Sequence, residues 1–160
     1  MTNVRIESAS ALDVEACRRM VLGNEPWATL QYGEPDVQDI LRSVADSNLL
    51  VARAGPLVVG FALSTEHFLV GEYLKLIAVD RAYHRQGIGR QLMRGLEDHA
   101  FSKWPNVYLC VSDFNESARR FYRELGYVEV GVLHDLLVAG AGEVLMRKSV
   151  GPWRGYRGKR

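Results

Sequence analysis

The chain is poor in cysteine. Cys17 and Cys110 are the only two, too few for a disulfide framework, and neither belongs to a CxxC pair or a Cys/His spacing that binds zinc. The four histidines, His67, His84, His99 and His134, are scattered, with no HExxH. No apolar run reaches the roughly 18 residues of a membrane helix. The start, Met1-Thr-Asn-Val-Arg-Ile6, lacks the apolar stretch of a signal peptide. An excess of one charge is lacking too: 20 Lys and Arg stand against 19 Asp and Glu, a formal +1. So balanced a chain has no strong field to draw nucleic acid or a membrane surface. The expectation is a cytoplasmic protein that holds no metal and binds neither partner.

What is present is ordinary globular composition in 160 residues, read as one domain over 1–150. Residues 151–160 are a basic, aromatic, glycine-spaced tail, expected to be solvated or to pack a second subunit in a homodimer. Val4 and Ile6 alternate with polar residues as a first strand. Ser10 is placed to cap a helix turning Leu12, Ala16, Met20 and Val21 inward. Residues 23–35, with two prolines, two glycines and Trp27, read as a loop. Asp36 then caps a helix with Val37, Ile40, Leu41 and Val44 on one face.

Leu49 to Ala54 and Leu57 to Phe68 form a hairpin about the Gly55-Pro56 turn. Glu72 to Val79 is the next strand. A helix runs from Arg90 to Phe101, a buried strand from Asn106 to Val111, and a helix capped by Asn115 carries Ala118, Phe121, Tyr122 and Leu125 to a stop at Gly126. Tyr127 to Leu137 and Glu143 to Val150 are the last strands. The order β-α-α-β-β-β-α-β-α-β-β predicts an α/β fold: a mixed sheet of about seven strands with helices on both faces.

The segment His84-Arg85-Gln86-Gly87-Ile88-Gly89-Arg90 stands between a strand and a helix, the arrangement that grips phosphate. No Lys-Ser or Lys-Thr follows the glycines, which excludes a mononucleotide P-loop. A dinucleotide fingerprint fails as well, because its third glycine is Leu92 and no acid ends the next strand before Asp113. A third pattern fits, Q/R-x-x-G-x-G/A after a strand. With it comes Asn115-Glu-Ser-Ala118-Arg-Arg-Phe121-Tyr122-Arg-Glu-Leu-Gly126-Tyr127, which has the form N-x-x-A-x-x-(F/L)-Y-x-x-x-G-(F/Y).

Together these two motifs resemble the GNAT family of acyl-CoA N-acyltransferases, and the resemblance covers nearly the whole chain. It implies the GNAT fold and transfer of the acetyl group of acetyl-CoA to a primary amine by direct attack. It leaves the acceptor open: a small-molecule amine, or a peptide N-terminus as in the ribosomal-protein alanine-type acetyltransferases. A non-catalytic acyl-CoA sensor is a further alternative. The implied cofactor contacts are the strand residues Ile77, Ala78 and Val79, the loop residues His84, Arg85, Gln86, Gly87, Ile88, Gly89 and Arg90, and Asn115 with Ala118. His84 replaces the family's usual Gln or Arg, and Arg85 and Arg90 can still supply charge-assisted contacts.

The chemistry needs a free amine, yet a lysine (pKa about 10.4) or α-amine (about 8) is protonated at neutral pH, so a base is required. The oxyanion would meet a backbone N–H near Ile77 to Val79, as the resemblance implies. Tyr122 is the candidate proton donor to the leaving thiolate. Neither of the family's glutamate positions is acidic: the fourth-strand one is Tyr73, the fifth-strand one Cys110. Glu66, His67, Glu72 or a water held by carbonyls remain as base candidates, and Glu72 faces away from Tyr73 unless a bulge intervenes. Cys110 reads as a small core residue before it reads as an acylated nucleophile. Lys75 should share the face of Tyr73, and Trp27 and Tyr32 stand where the family builds its acceptor wall.

Overall fold

The computed structural model describes residues 3–22, 24–42 and 47–159. Its strands are β1 (Val4–Ser8), β2 (Asn48–Ala54), β3 (Leu57–Phe68), β4 (Gly71–Val79), β5 (Asn106–Ser112), β6 (Val128–His134) and β7 (Gly142–Ser149). Its helices are α1 (Val14–Leu22), α2 (Glu34–Arg42), α3 (Ile88–Phe101) and α4 (Glu116–Glu124). The seven strands form one mixed sheet in the order β1-β2-β3-β4-β5-β7-β6. The chain divides into two compact units, residues 1–65 with 75–97, and 66–74 with 98–160.

In the first unit β1, β2 and β3 are antiparallel, Val4 opposite Ala54 and Leu49 opposite Leu63. Six consecutive buried residues, Val59 to Ser64, show that both faces of β3 are covered. On one face Val51, Phe61, Leu63, Leu76 and Ala78 pack with Cys17, Met20 and Val21 of α1 and Val37 of α2. On the other, Gly60 lies under α3: a Cβ there would come 3.1 Å from the Ala78 carbonyl oxygen and 3.2 Å from Leu92 Cδ1, so a side chain would require these neighbours to give way.

Two expectations need correcting here. Leu12 is 91% exposed, not inward. A single 3-10 turn, Ala11–Asp13, precedes α1 and shifts its phase, so the inward row is Cys17, Met20 and Val21. Ser10 still marks the start, its N–H donating to Asp13 Oδ2 at 2.8 Å. Second, Asp36 lies inside α2 rather than before it, and its Oδ2 takes the Gly33 N–H at 2.8 Å. Pro35 fits the first turn, where a missing N–H leaves no helix bond unmade. The Leu41 side chain and Val44 lie outside the described residues.

In the second unit the start of β4 runs parallel to β5, from Glu72 opposite Val107 to Leu74 opposite Leu109. β5 and β7 are antiparallel in unbroken register from Asn106 opposite Ser149 to Ser112 opposite Glu143. β6 is the edge strand, exposed throughout, and it ends at His134 rather than Leu137 because Asp135 turns to φ 55°. The tail folds back onto the end of α3. Tyr156 Oη donates to the Phe101 carbonyl at 2.6 Å, and the Lys159 N–H donates to the same oxygen at 2.8 Å. These bonds satisfy a carbonyl that the helix leaves without a partner.

Candidate active site

The phosphate-loop segment belongs to the first unit. Asp80 caps the single turn Arg81–Tyr83, its Oδ1 accepting the Ala82 N–H at 2.9 Å. His84, the irregular position, turns back on the strand: its Nε2 donates to the Val79 carbonyl at 2.8 Å. The side chain thus pins the loop to the end of β4 instead of reaching outward. Arg85 and Gly87 take left-handed conformations, φ 60° and 77°. A Cβ on Gly87 would meet nothing within 4 Å, so the backbone there borders open space.

The first helical bond of α3 runs from the Gln91 N–H to the Gly87 carbonyl at 3.1 Å. The N–H groups of Ile88 and Gly89 therefore have no acceptor inside the helix. The positive end of the helix dipole lies at this turn, and Arg85 and Arg90 beside it are exposed. Gln86 is exposed. Ile88 and Ala78 are buried, 2% and 7% exposed. Ile77 and Val79 are half-buried. Trp27 is buried in the apolar core of this unit with Tyr32 against it, so packing accounts for the tryptophan.

The second motif forms α4 in the other unit. Asn115 Oδ1 accepts the Ala118 N–H at 3.1 Å, as its capping role requires. Arg119 and Arg123 clasp Glu129, and the Arg123 hydrogen bond first holds that carboxyl below its usual range. Tyr122 is 6% exposed, and burial pushes its phenol well above the usual tyrosine value. The group stays protonated and can serve as a proton donor, not as a base. Its ring meets Tyr127 edge to face at 5.7 Å, and Lys148 Nζ lies 5.8 Å over the Tyr127 ring. Lys148 stands opposite Val107, so the side chains of Tyr122 and Tyr127 occupy the Val107 face of β5.

The opposite face of β5 carries Tyr108, Cys110 and Ser112. Tyr73, opposite Tyr108, hydrogen-bonds the Cys110 sulfur. Burial raises the Cys110 thiol above its usual value, and pushes Cys17 up to about 12. Both thiols are therefore protonated and unsuited to nucleophilic attack. Glu72 is fully buried on the face of the strand away from Tyr73. Glu66 Oε1 accepts from Lys103 Nζ at 2.6 Å and lies 3.3 Å from His99 Nε2. His67 is exposed, with its ring edge-on to Trp104 at 5.0 Å. Among the described residues no group of His, Cys, Asp and Glu is arranged to hold a metal. No described helix is long and apolar enough to cross a membrane.

Sequence reasoning missed Glu143. It is 4% exposed and faces Ser112 across the β5–β7 ladder, accepting the Ser112 hydroxyl at 2.7 Å. In sequence it follows a glycine turn and reads as a strand start. Only the register of β7 on β5 brings it beside Cys110.

Comparison with known proteins agrees with this fold. The model of the Acetyltransferase (GNAT) family matches residues 14–127. The N-alpha-acetyltransferase RimI of Mycobacterium tuberculosis is 32% identical over 161 residues, 92% of this chain and 94% of that protein. The crystal structure of the ribosomal-protein-S18-alanine N-acetyltransferase from Escherichia coli superposes with a TM-score of 0.73 at 20% identity, covering 94% of this chain and 96% of that one. An aminoglycoside 6'-N-acetyltransferase complexed with coenzyme A gives 0.76 at 17% identity over 92% and 98% of the two chains. Two structural relatives with such different acceptors share the sheet and helices described above. The chain therefore belongs to the GNAT family of acetyltransferases, which move the acetyl group of acetyl-CoA to an amine.

Proposed function

We propose that this chain acetylates the N-terminal α-amine of a peptide or protein, the free amine attacking the acetyl-CoA thioester directly. The choice of acceptor rests on one observation, the 32% identity to the Mycobacterium tuberculosis N-alpha-acetyltransferase along 92% of this chain at matching length. An α-amine also asks less of the protein than a lysine would, since its pKa of about 8 lies nearer neutrality than about 10.4.

In this reading the amides of Ile88 and Gly89, with Arg85, Gln86, Gly87 and Arg90, hold the pyrophosphate of the cofactor. His84 contributes by fixing the loop. The main chain of Ile77, Ala78 and Val79 lines the thioester and donates an N–H to the developing oxyanion. Asn115 and Ala118 hold the far part of the cofactor. Tyr122 gives its proton to the leaving sulfur, a role supported by its burial and its persistently protonated phenol. The near-neutral charge of the chain gives no strong field to draw nucleic acid or a membrane surface.

The test is thiol release from acetyl-CoA with a panel of unblocked peptides, their N-acetylated copies, and small polyamines and aminosugars. Release with free N-termini and none with blocked copies is the expected result. Release with small amines alone would overturn the peptide reading. Thermal stabilisation by coenzyme A with release from no amine would favour a sensor.

A further inference from the structure

Glu143 is a buried acid whose carboxylate, among the described residues, accepts a hydrogen bond from the Ser112 hydroxyl and from no charged group. Burying a carboxylate carries a large desolvation penalty, and one neutral hydrogen bond offsets little of it. An apolar residue would serve the strand better, as Leu145 does opposite Cys110. Such a group is a candidate for chemistry.

Its placement narrows which chemistry. The β5–β7 register is unbroken, so Cys110, Ser112, Leu145 and Glu143 all project from one face. Tyr73 reaches the same face and bonds Cys110. Neither Tyr73 nor Cys110 is acidic, so neither can take a proton as a carboxylate would. The acid on this face stands on the neighbouring strand, one inward-facing position along from Cys110.

We propose that Glu143 is the terminal proton acceptor of the acetyl transfer, reached through the Ser112 hydroxyl. The acceptor ammonium gives a proton to Ser112 Oγ, directly or through one water. As that O–H bond forms, the existing Ser112 O–H bond breaks and its proton passes to Glu143 Oε1. The neutral amine attacks the thioester carbon, the nitrogen gives its second proton to water as the C–S bond breaks, and the sulfur takes the Tyr122 proton. Solvent then takes the Glu143 proton and restores that of Tyr122, so one proton is released per amide formed. Glu143 does not itself touch the acceptor.

The groups around Glu143 suit the role. Asp113, whose Oδ2 takes the Gly142 N–H at 3.1 Å, repels a second negative charge. On the same face stand the thiol of Cys110 and the hydroxyl of Tyr73. From β6, Leu133 stands opposite Glu143 and His134 opposite Gly142. Burial foremost holds the Glu143 carboxyl above its usual range; the Ser112 hydrogen bond opposes it, and Asp113 adds a smaller upward push. A stronger base than an ordinary glutamate results.

This inference rests on the acetyl transfer proposed above, not on which amine is accepted. The experiment follows thiol release by Glu143→Gln from pH 6 to 9.5, with whichever amine the wild type uses. At pH 7 kcat should fall about 10²-fold or more, with unchanged thermal stabilisation by coenzyme A. The deficit should shrink as pH rises through the amine's own pKa, about 8 for an α-amine, because free amine then forms unaided. A structural role predicts a deficit that does not depend on pH, and that result overturns the proposal, as does undiminished turnover at pH 7.

Should Glu143→Gln fail to fold, Ser112→Ala and Ser112→Thr decide: the first should show the same pH-dependent deficit, and the second, which restores a hydroxyl, should recover. Equal activity of the two overturns the relay. A wild type active only on small amines removes the peptide reading and leaves this test in place, whereas release from no amine removes both.

Discussion

Tyr122 and Tyr127 meet edge to face with ring centroids 5.7 Å apart, and Tyr127 in turn lies beneath Lys148. This stack holds Tyr122 on the Val107 face of β5, while Ser112 and Glu143 project from the other face. The proposed proton donor and proton acceptor are thus separated by the strand itself.

Tyr122→Phe removes the hydroxyl and keeps the ring that packs on Phe121 and Tyr127. We expect kcat to fall about 10²-fold or more, with acetyl-CoA affinity nearly unchanged. Because burial raises the phenol, wild-type activity should show no loss from tyrosine ionisation up to the ordinary value of about pH 10. Single-turnover acetyl transfer measures the chemical step. An unaltered single-turnover rate removes Tyr122 from the reaction.

Asn115 has two assigned tasks that one pair of variants separates. Its Oδ1 caps α4 through the Ala118 N–H. Asn115→Ala loses the cap at a cost of about 1 kcal/mol, whereas Asn115→Ser keeps a capping oxygen. If Asn115 also holds the cofactor, both variants should raise the KM for acetyl-CoA, but only Asn115→Ala should lower the Tm. Unchanged KM in the serine variant reduces Asn115 to a cap.

Most elements were legible because their signals are local. Gly55-Pro56 marks the β2–β3 hairpin, Asn115 and Gly126 bracket α4, and the glycine loop precedes α3. What failed was phase and pairing. The 3-10 turn before α1 turned Leu12 outward, and Asp36 caps α2 from within its first turn. Neither can be read from periodicity, which assumes that one helical pitch begins at the cap. Glu143 was hidden for a stronger reason: its neighbours Ser112 and Cys110 are distant in sequence, and only strand register joins them. The fold of His84 onto Val79 likewise depends on the path of the loop, not on the motif.

Gly87 tests the proposed pyrophosphate site. At φ 77° any side chain is strained, and a Cβ would project into open space. Gly87→Ala should lower stability by about 1 kcal/mol and weaken coenzyme A binding modestly. Gly87→Glu adds like-charge repulsion toward a pyrophosphate and should abolish binding, while the apolar face of α3, from Ile88 through Leu96, keeps the unit folded. Isothermal titration with coenzyme A, beside thermal melts of both variants, checks this. Normal affinity in Gly87→Glu means that the phosphates lie elsewhere.

Asp13 offers a prediction on stability alone. Its carboxylate accepts the Ser10 N–H at 2.8 Å and Arg53 Nη2 at 3.0 Å, and it is buried. The Ser10 backbone bond first, with the Arg53 guanidinium adding to it against the opposing cost of burial, holds the carboxyl below its usual range. Since the folded carboxyl titrates lower than the unfolded one, its stabilisation is fully present above the ordinary aspartate pKa of about 3.9. It is lost as pH falls through the depressed folded value. Asp13→Asn should therefore lower stability by roughly 1–3 kcal/mol at pH 7, with the difference from wild type flat down to about pH 5 and shrinking toward pH 2. Arg53 also bonds Glu7 at 2.6 Å, so the guanidinium keeps one partner in the variant and the loss should stay within that range. Chemical denaturation of both proteins at a series of pH values measures it, and a gap that widens on acidification would contradict the assignment.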